Sequence, residues 1–257
     1  MSENNYERNN TMVACIIAVL IIGAVGTGLT VWFGGNSWGG FSGPRWNATT
    51  DFSFEETESS MPDSVTLNLN LSAGAVNIEF IDDPDLLYRF DLEVPNETVS
   101  EHGEPSVGYG SSIITFDYAA ARANLTLGSG TIYTMSINLD AGGVELTIGD
   151  NAHIGDLDVT AQAGGIDLTV TDSASFDSDV EFNLQASAGG VAMSIDLPST
   201  IGGSFTGTAS FGGVDVTTST WIEISSGHYE TSNYDSASQT LTITASAEFG
   251  GIQATLS

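Results

Sequence analysis

The chain contains no lysine and only four arginines, Arg8, Arg45, Arg89 and Arg122, against 33 acidic residues. Its formal charge is therefore −29. A surface with no basic patch has nothing with which to neutralise phosphates, and this excludes nucleic acid as a partner. An anionic lipid surface would repel the chain for the same reason. Cysteine is equally scarce. Cys15 is the single one, so there is neither an internal disulfide framework nor a multi-cysteine metal site. It opens an apolar run, where it reads as a small hydrophobic residue. Charged residues make up only 14% and hydrophobic ones 41%, with 30 glycines and 12 phenylalanines. That composition excludes a disordered acidic tail, and 257 residues allow one or two domains.

Signatures of catalysis are missing as well. There is no HExxH, Walker or dinucleotide fingerprint, and the calcium-binding nonapeptide repeat is absent. His102, His153 and His228 stand far apart with no cysteine partner. The loop Glu101-His102-Gly103-Glu104 is the one place where a histidine lies between two acids, and it reads as a solvated loop rather than a metal site. No arginine or lysine follows Arg122, so nothing there could polarise an acidic sugar. The expectation is a protein without catalytic residues, cofactor or metal.

What the chain does have is a long apolar run. Residues 12–33, MVACIIAVLIIGAVGTGLTVWF, carry no charge. As a helix they would measure about 33 Å, enough to cross a hydrocarbon layer of about 30 Å. Trp32 and Phe33 stand where an interfacial anchor belongs. The preceding tail, residues 1–11, is not basic, and the run is longer than the core of a cleaved signal peptide. The reading is a single transmembrane helix that embeds the chain in the bilayer. Arg8 and Arg45 flank it evenly, so the positive-inside rule is close to silent. The short tail and the large following domain favour a signal-anchor with the β domain outside the cell membrane.

Asn47, Asn70, Asn96 and Asn124 each begin an N-x-S/T sequon, which makes them candidate glycosylation sites in an outside domain. Residues 34–63 shift to Gly, Ser, Thr and acid and read as a flexible tether. Trp38, Phe41 and Trp46 within it suit the headgroup layer.

A short phrase then recurs six times: Ala73-Gly-Ala-Val, Ala141-Gly-Gly-Val, Ala163-Gly-Gly-Ile, Ala188-Gly-Gly-Val, Phe211-Gly-Gly-Val and Phe249-Gly-Gly-Ile. Successive intervals are 68, 22, 25, 23 and 38 residues, so the two long ones read as insertions. Each phrase is flanked by period-two alternation, the signal of a strand. Leu157, Val159 and Ala161 precede one glycine pair, and Ile166, Leu168 and Val170 follow it. The apolar positions are odd before the glycines and even after them. In a flat strand that change of parity would turn the second half away from the core. The glycines must therefore bend the chain, with Gly74, Gly142, Gly164, Gly189, Gly212 and Gly250 as the structural corners.

Strand, glycine corner, strand and short return make one coil of a solenoid, with successive coils stacked about 4.8 Å apart. An antiparallel sandwich is the competing fold. Its usual hairpin dipeptides, Asn-Gly and Asp-Gly, do not occur. The expected fold class is all-β, over residues 64–257.

These phrases, with the strand end Ser194-Ile-Asp-Leu-Pro198, resemble the putative adhesin family of bacterial and archaeal β-strand repeat domains. Residues 65–79, VTLNLNLSAGAVNIE, are similar to the related toast-rack domains. The resemblance implies a right-handed single-stranded β-helix and carries no catalytic residues with it. Some toast-rack relatives occur in membrane proteins that sense envelope stress.

Two functions follow as expectations. The first is a membrane-anchored surface β-solenoid for adhesion or envelope contact, with a protein or surface glycan as partner. The second is a regulator of envelope-stress signalling through a membrane partner. A pilin-like subunit fits the layout but lacks the basic residue and glycine expected just before the helix. Trp221, Tyr229 and Tyr234, set among polar residues in the last insertion, form a candidate interaction patch, with capping of the core as the alternative.

Overall fold

The computed structural model describes residues 46–257. The tail 1–11, the apolar span 12–33, Cys15, Trp38, Phe41 and the linker up to residue 45 lie outside the described residues. Among those described, no helix is long and apolar enough to cross a membrane.

Fourteen strands form a single sheet. In chain order they are β1 (Thr49–Thr57), β2 (Ser64–Phe80), β3 (Leu86–Pro95), β4 (Val107–Gly110), β5 (Ile113–Leu127), β6 (Ile132–Ile148), β7 (Ile154–Val170) and β8 (Val180–Ile195). They continue as β9 (Gly202–Phe211), β10 (Val214–Thr218), β11 (Ile222–Ser225), β12 (His228–Glu230), β13 (Thr240–Phe249) and β14 (Ile252–Leu256). One short helix, α1 (Asn96–His102), follows β3. Among the described residues all strands belong to one hydrogen-bonded sheet, and the long ones pair in parallel rather than in the antiparallel manner of the sandwich.

The long strands run through their glycines and pair in parallel and in register, each strand–bend–strand unit making one rung. Gly142 pairs with Gly74 on one side and with Gly164 on the other, and Gly164 pairs with Gly189. Because the register is common, identical faces line up into rows. Leu67, Met135, Leu157, Phe182, Ile243 and Phe205 are successive partners in one such row, and each is at most 1% exposed. Beyond the bend the buried positions switch parity, to Val144, Ile166, Val191 and Ile252. Outward positions carry hydroxyls, amides and acids, with cross-rung bonds such as Asn138 to Asn70 (3.1 Å) and Asn183 to Asp158 (3.0 Å).

Three expectations are corrected here. The stretch 34–63 is not all tether: β1 pairs antiparallel with β3 along its length and packs Phe52 and Phe54 against the core. The apolar–polar alternation of Asp51-Phe-Ser-Phe-Glu55 outweighs the acidic composition that suggests a linker.

The rungs also do not stack in chain order. Their spatial sequence is β5, β2, β6, β7, β8, then β13 with β14, and last β9 with β10. At one end the chain lays down the outer rung β9–β10 and then returns to fill the slot inside it with β13 and β14; at the other, β2 comes first, β5 is added outside it, and β6 continues on the opposite side of β2. The connection 219–239 is long enough for this return, whereas residues 149–153 and 171–179 only step to the adjacent slot.

Finally, the insertion 81–130 contains a rung with no glycine pair. Ala120-Ala-Arg-Ala123 of β5 aligns with Ala73-Gly-Ala-Val76 of β2.

Candidate functional site

The six corner glycines form one column across the sheet. Gly74, Gly142 and Gly164 have φ of +143°, +135° and +151°, a region that L side chains avoid. At each of the six, the place a Cβ would take is occupied by a backbone carbonyl of the neighbouring rung: Ala121 for Gly74, Gly74 for Gly142, Gly142 for Gly164, Gly164 for Gly189, Gly189 for Gly250 and Gly250 for Gly212. These residues therefore set the bend and the spacing of the rungs.

The three aromatics of the candidate patch are not brought together on the surface. Trp221 is only 5% exposed, belongs to the core cluster and donates its indole N–H to the Ser257 carbonyl at 3.3 Å. Tyr229, on β12, packs over Phe205, with ring centroids 6.4 Å apart. Tyr234 lies in a 3-10 turn with its hydroxyl 3.1 Å from the Thr242 hydroxyl. Burial overturns Trp221 as a contact residue: the segment 221–236 closes the end of the core, which is the alternative the sequence left open. A hydrophobic ring among polar neighbours carries no local sign of which it will be.

The apolar surface lies elsewhere. Phe211 and Phe249 stack at the corners of the last two rungs, 66% and 49% exposed, with centroids 5.0 Å apart and planes 3° from parallel. In the rungs on the far side of Phe249 the same position is alanine, as at Ala188 and Ala163. Ile222 and Ile224 are exposed on the edge strand β11. Sequence reasoning missed both features, although the change from Ala to Phe before the glycines was a visible signal for the first.

The sequon asparagines Asn47, Asn70, Asn96 and Asn124 are all exposed. Asn70 and Asn124 sit within paired strands, and Asn70 accepts from Asn138. Asn96 accepts a hydrogen bond from the Thr50 hydroxyl at 2.7 Å. His102 ends α1, exposed and 4.0 Å from Glu101. No group of three or more His, Cys, Asp or Glu residues able to hold a metal ion occurs among the described residues.

One trio deserves a chemical test. Ser204 Oγ and Glu230 Oε1 both lie near His228, at 3.3 and 3.1 Å. Both approach the same ring nitrogen, Nε2. A relay needs the acid on the opposite nitrogen, where it fixes the tautomer that receives the serine proton. Here the carboxylate competes with the hydroxyl for one nitrogen, so the trio ties β9 to β12 and lacks the geometry of a relay. An open groove of about 360 Å³ runs past Met61, Asp63, Thr131 and His153, where His153 Nδ1 lies 3.6 Å from Asp177.

The two arginines among the described residues sit at the β1 end. Arg89 pairs with Glu55 at 2.6 Å. Arg122 pairs with Glu93 at 2.8 Å and lies over the Trp46 ring, 4.4 Å from its centroid. Burial raises the Tyr133 hydroxyl far above its ordinary range, consistent with its role as a donor to the Leu87 carbonyl at 2.7 Å. Asp167 points outward, and partial desolvation between its neighbours raises its carboxyl above the usual carboxylate range.

No family profile matches the chain, and no curated protein matches it. Solved structures do. A protein of Clostridium sporogenes described as a "putative cell adhesion protein" superposes with a TM-score of 0.66 at 16% identity, covering 82% of this chain and 100% of its own. A "putative adhesin" of Bacteroides fragilis covers 82% of this chain and 98% of its own at 8% identity, with a TM-score of 0.31. The first likeness shows a shared fold over nearly all of the described residues.

Proposed function

We propose that the chain is a membrane-anchored surface protein that acts in adhesion or envelope contact, with its glycine-bent rungs wound as a right-handed β-solenoid. The observation that supports this reading is the shared fold with the C. sporogenes protein, which is described as a "putative cell adhesion protein" and matches along its whole length. The distribution of chemistry agrees. Polar groups are spread in rows over the outward faces, as suits contact along an extended surface, and the nearest approach to a catalytic trio has the wrong connectivity. Residues 12–33 anchor the chain in the bilayer, and the β domain stands outside, with a protein or surface glycan as its partner. It works without catalytic residues or cofactor.

Two measurements test this. Protease added to intact cells should remove the β domain and leave a small membrane fragment; full protection would overturn the outward placement. Cells carrying the chain should adhere to surfaces or to one another more than cells lacking it. Equal adherence of the two would overturn the adhesive role.

A further inference from the structure

The stack of rungs is closed at one end and open at the other. At the β5 end, β3 and β4 pair antiparallel with β5, and β1 covers β3. The glycine column stops there at Ala121, which already bears a Cβ. At the opposite end only the half of the rung before the bend is covered. There β12 pairs with β9 and β11 with β12, while Trp221 and Tyr229 close the core.

Among the described residues the half after the bend has no such cover, and strand β10 pairs with β14 alone. Its Val214 and Val216 are half-buried, although their row partners Ile252, Ala254, Val191 and Met193 are at most 4% exposed. A strand edge of this kind, flanked by the exposed ring of Phe211, is a template for another strand.

Charge indicates what that strand belongs to. Residues 197–222, which include this rung, carry one charge in 26 positions, Asp215. Glu223 and Glu230 stand on the strands that cover the other half of this end, so the β10 edge itself is where two copies of a −29 chain approach with least repulsion. The edge is also self-complementary. In an antiparallel pair centred on Val216, Val216 meets Val216 of the second copy, and Val214 meets Thr218. Asp215 then faces the Thr217 hydroxyl, and no like charges stand opposite each other. Centring the pair on Asp215 would oppose two carboxylates.

We propose that two copies of the chain join at this end, through antiparallel pairing of β10 with β10 about a two-fold axis at Val216. The inference goes beyond the adhesion reading and stands on the geometry of this end alone. The pairing is short, so the dimer is weak, and it tightens as salt screens the acidic bodies.

The test uses the full chain in detergent with Cys15→Ala as background. Sedimentation should show a dimer that grows with concentration and with salt. Val216→Cys should trap it as a disulfide, because the dyad brings the two thiols together, whereas Thr255→Cys, outward and within the sheet, should not. Thr217→Asp sets a carboxylate against Asp215 twice per dimer and should weaken association roughly tenfold, and Thr217→Lys should strengthen it by a similar factor. Thermal melting of each variant confirms that it is folded. A monomer at every concentration and salt would overturn the proposal. So would a dimer indifferent to the charge at 217, or one in which Val216→Cys forms no disulfide.

Discussion

The backbone carbonyl of Gly142 stands in the place that a side chain at residue 164 would need. The two residues are paired across adjacent parallel strands, and Gly164 has φ +151°. Each bend in the stack is thus made by a residue whose missing Cβ is filled by the rung beside it. This accounts for glycine at the first position of all six phrases, and for its replacement by Ala121 in the rung where no further parallel rung lies beneath. The second position is free of the constraint: a Cβ at Gly165 would sit 3.7 Å from the Gly190 carbonyl, an ordinary contact.

Gly164→Ala should therefore cost at least about 3 kcal/mol, combining backbone strain with the displacement of a neighbouring rung. Gly165→Ala should stay within about 1 kcal/mol of the parent and can stabilise it by restricting the unfolded chain. Urea unfolding of the two variants decides the matter. Equal losses would mean that the bend does not depend on the close approach.

Removing β1 should destabilise the domain. Phe52 and Phe54 cover the outer strand β3, Glu55 pairs with Arg89, and the backbone bonds Glu58 to Asp85 and Asn96 to Ala48, each 2.9 Å, flank the strand. A chain beginning at residue 60 should lose at least about 3 kcal/mol relative to one beginning at residue 46, from the apolar area uncovered. Denaturant midpoints of the two would show it, and identical midpoints would return β1 to the status of a tether.

The alternation and the parity change were sufficient to read the bent strands and their inward residues. They could not give the order of the rungs, because every rung presents the same register and pairs equally well with any other. Order depends on the lengths of the connections, and the long ones at 81–131 and 219–239 permit a return that a repeat count does not reveal. The β5 rung was hidden because Ala121 and Arg122 replace the glycines, although the parity still changes there, from Phe116 and Tyr118 to Ala123 and Leu125. Trp221 was ambiguous for another reason. Its burial is set by β9 and the chain end, not by its neighbours in sequence.

Tyr133 links the regular stack to the inserted strand β3. Its buried hydroxyl donates to the Leu87 carbonyl at 2.7 Å, and its ring meets Phe80 edge-on at 6.0 Å. Tyr133→Phe keeps the ring and leaves the carbonyl without that partner, so it should cost about 1–2 kcal/mol. A loss below a few tenths of a kcal/mol in urea unfolding would show that the carbonyl finds another donor.

Asp167 should make stability fall with rising pH. Partial desolvation on the outward face raises its folded carboxyl above the usual range, so the unfolded chain releases this proton at lower pH than the folded one. The penalty is absent below the ordinary carboxylate range and builds as pH rises through the folded value. Asp167→Asn should therefore melt higher than the parent at pH 7 and equally with it at pH 3. A pH-independent difference between the two melting curves would assign the effect to packing instead.

Salt should stabilise the fold strongly. The outward rows set residues of adjacent rungs about 4.8 Å apart, and in the row through Glu145 and Asp167 two carboxylates are direct neighbours with no cation between them. The two arginines among the described residues are committed to Glu55 and Glu93 at the far end of the stack. Repulsion along the middle rungs is therefore relieved only by solution ions, whose screening length is about 10 Å at 0.1 M and about 3 Å at 1 M. Raising monovalent salt across that range should lift the melting temperature of residues 46–257 by at least about 5 °C, the shift that about 1–2 kcal/mol produces in a domain of this size. Sodium and potassium should act alike, because screening does not distinguish them. A melting temperature unchanged by salt would show that the carboxylates are too well hydrated to repel one another. A larger rise with micromolar calcium than with molar sodium would point to a bound ion in place of screening.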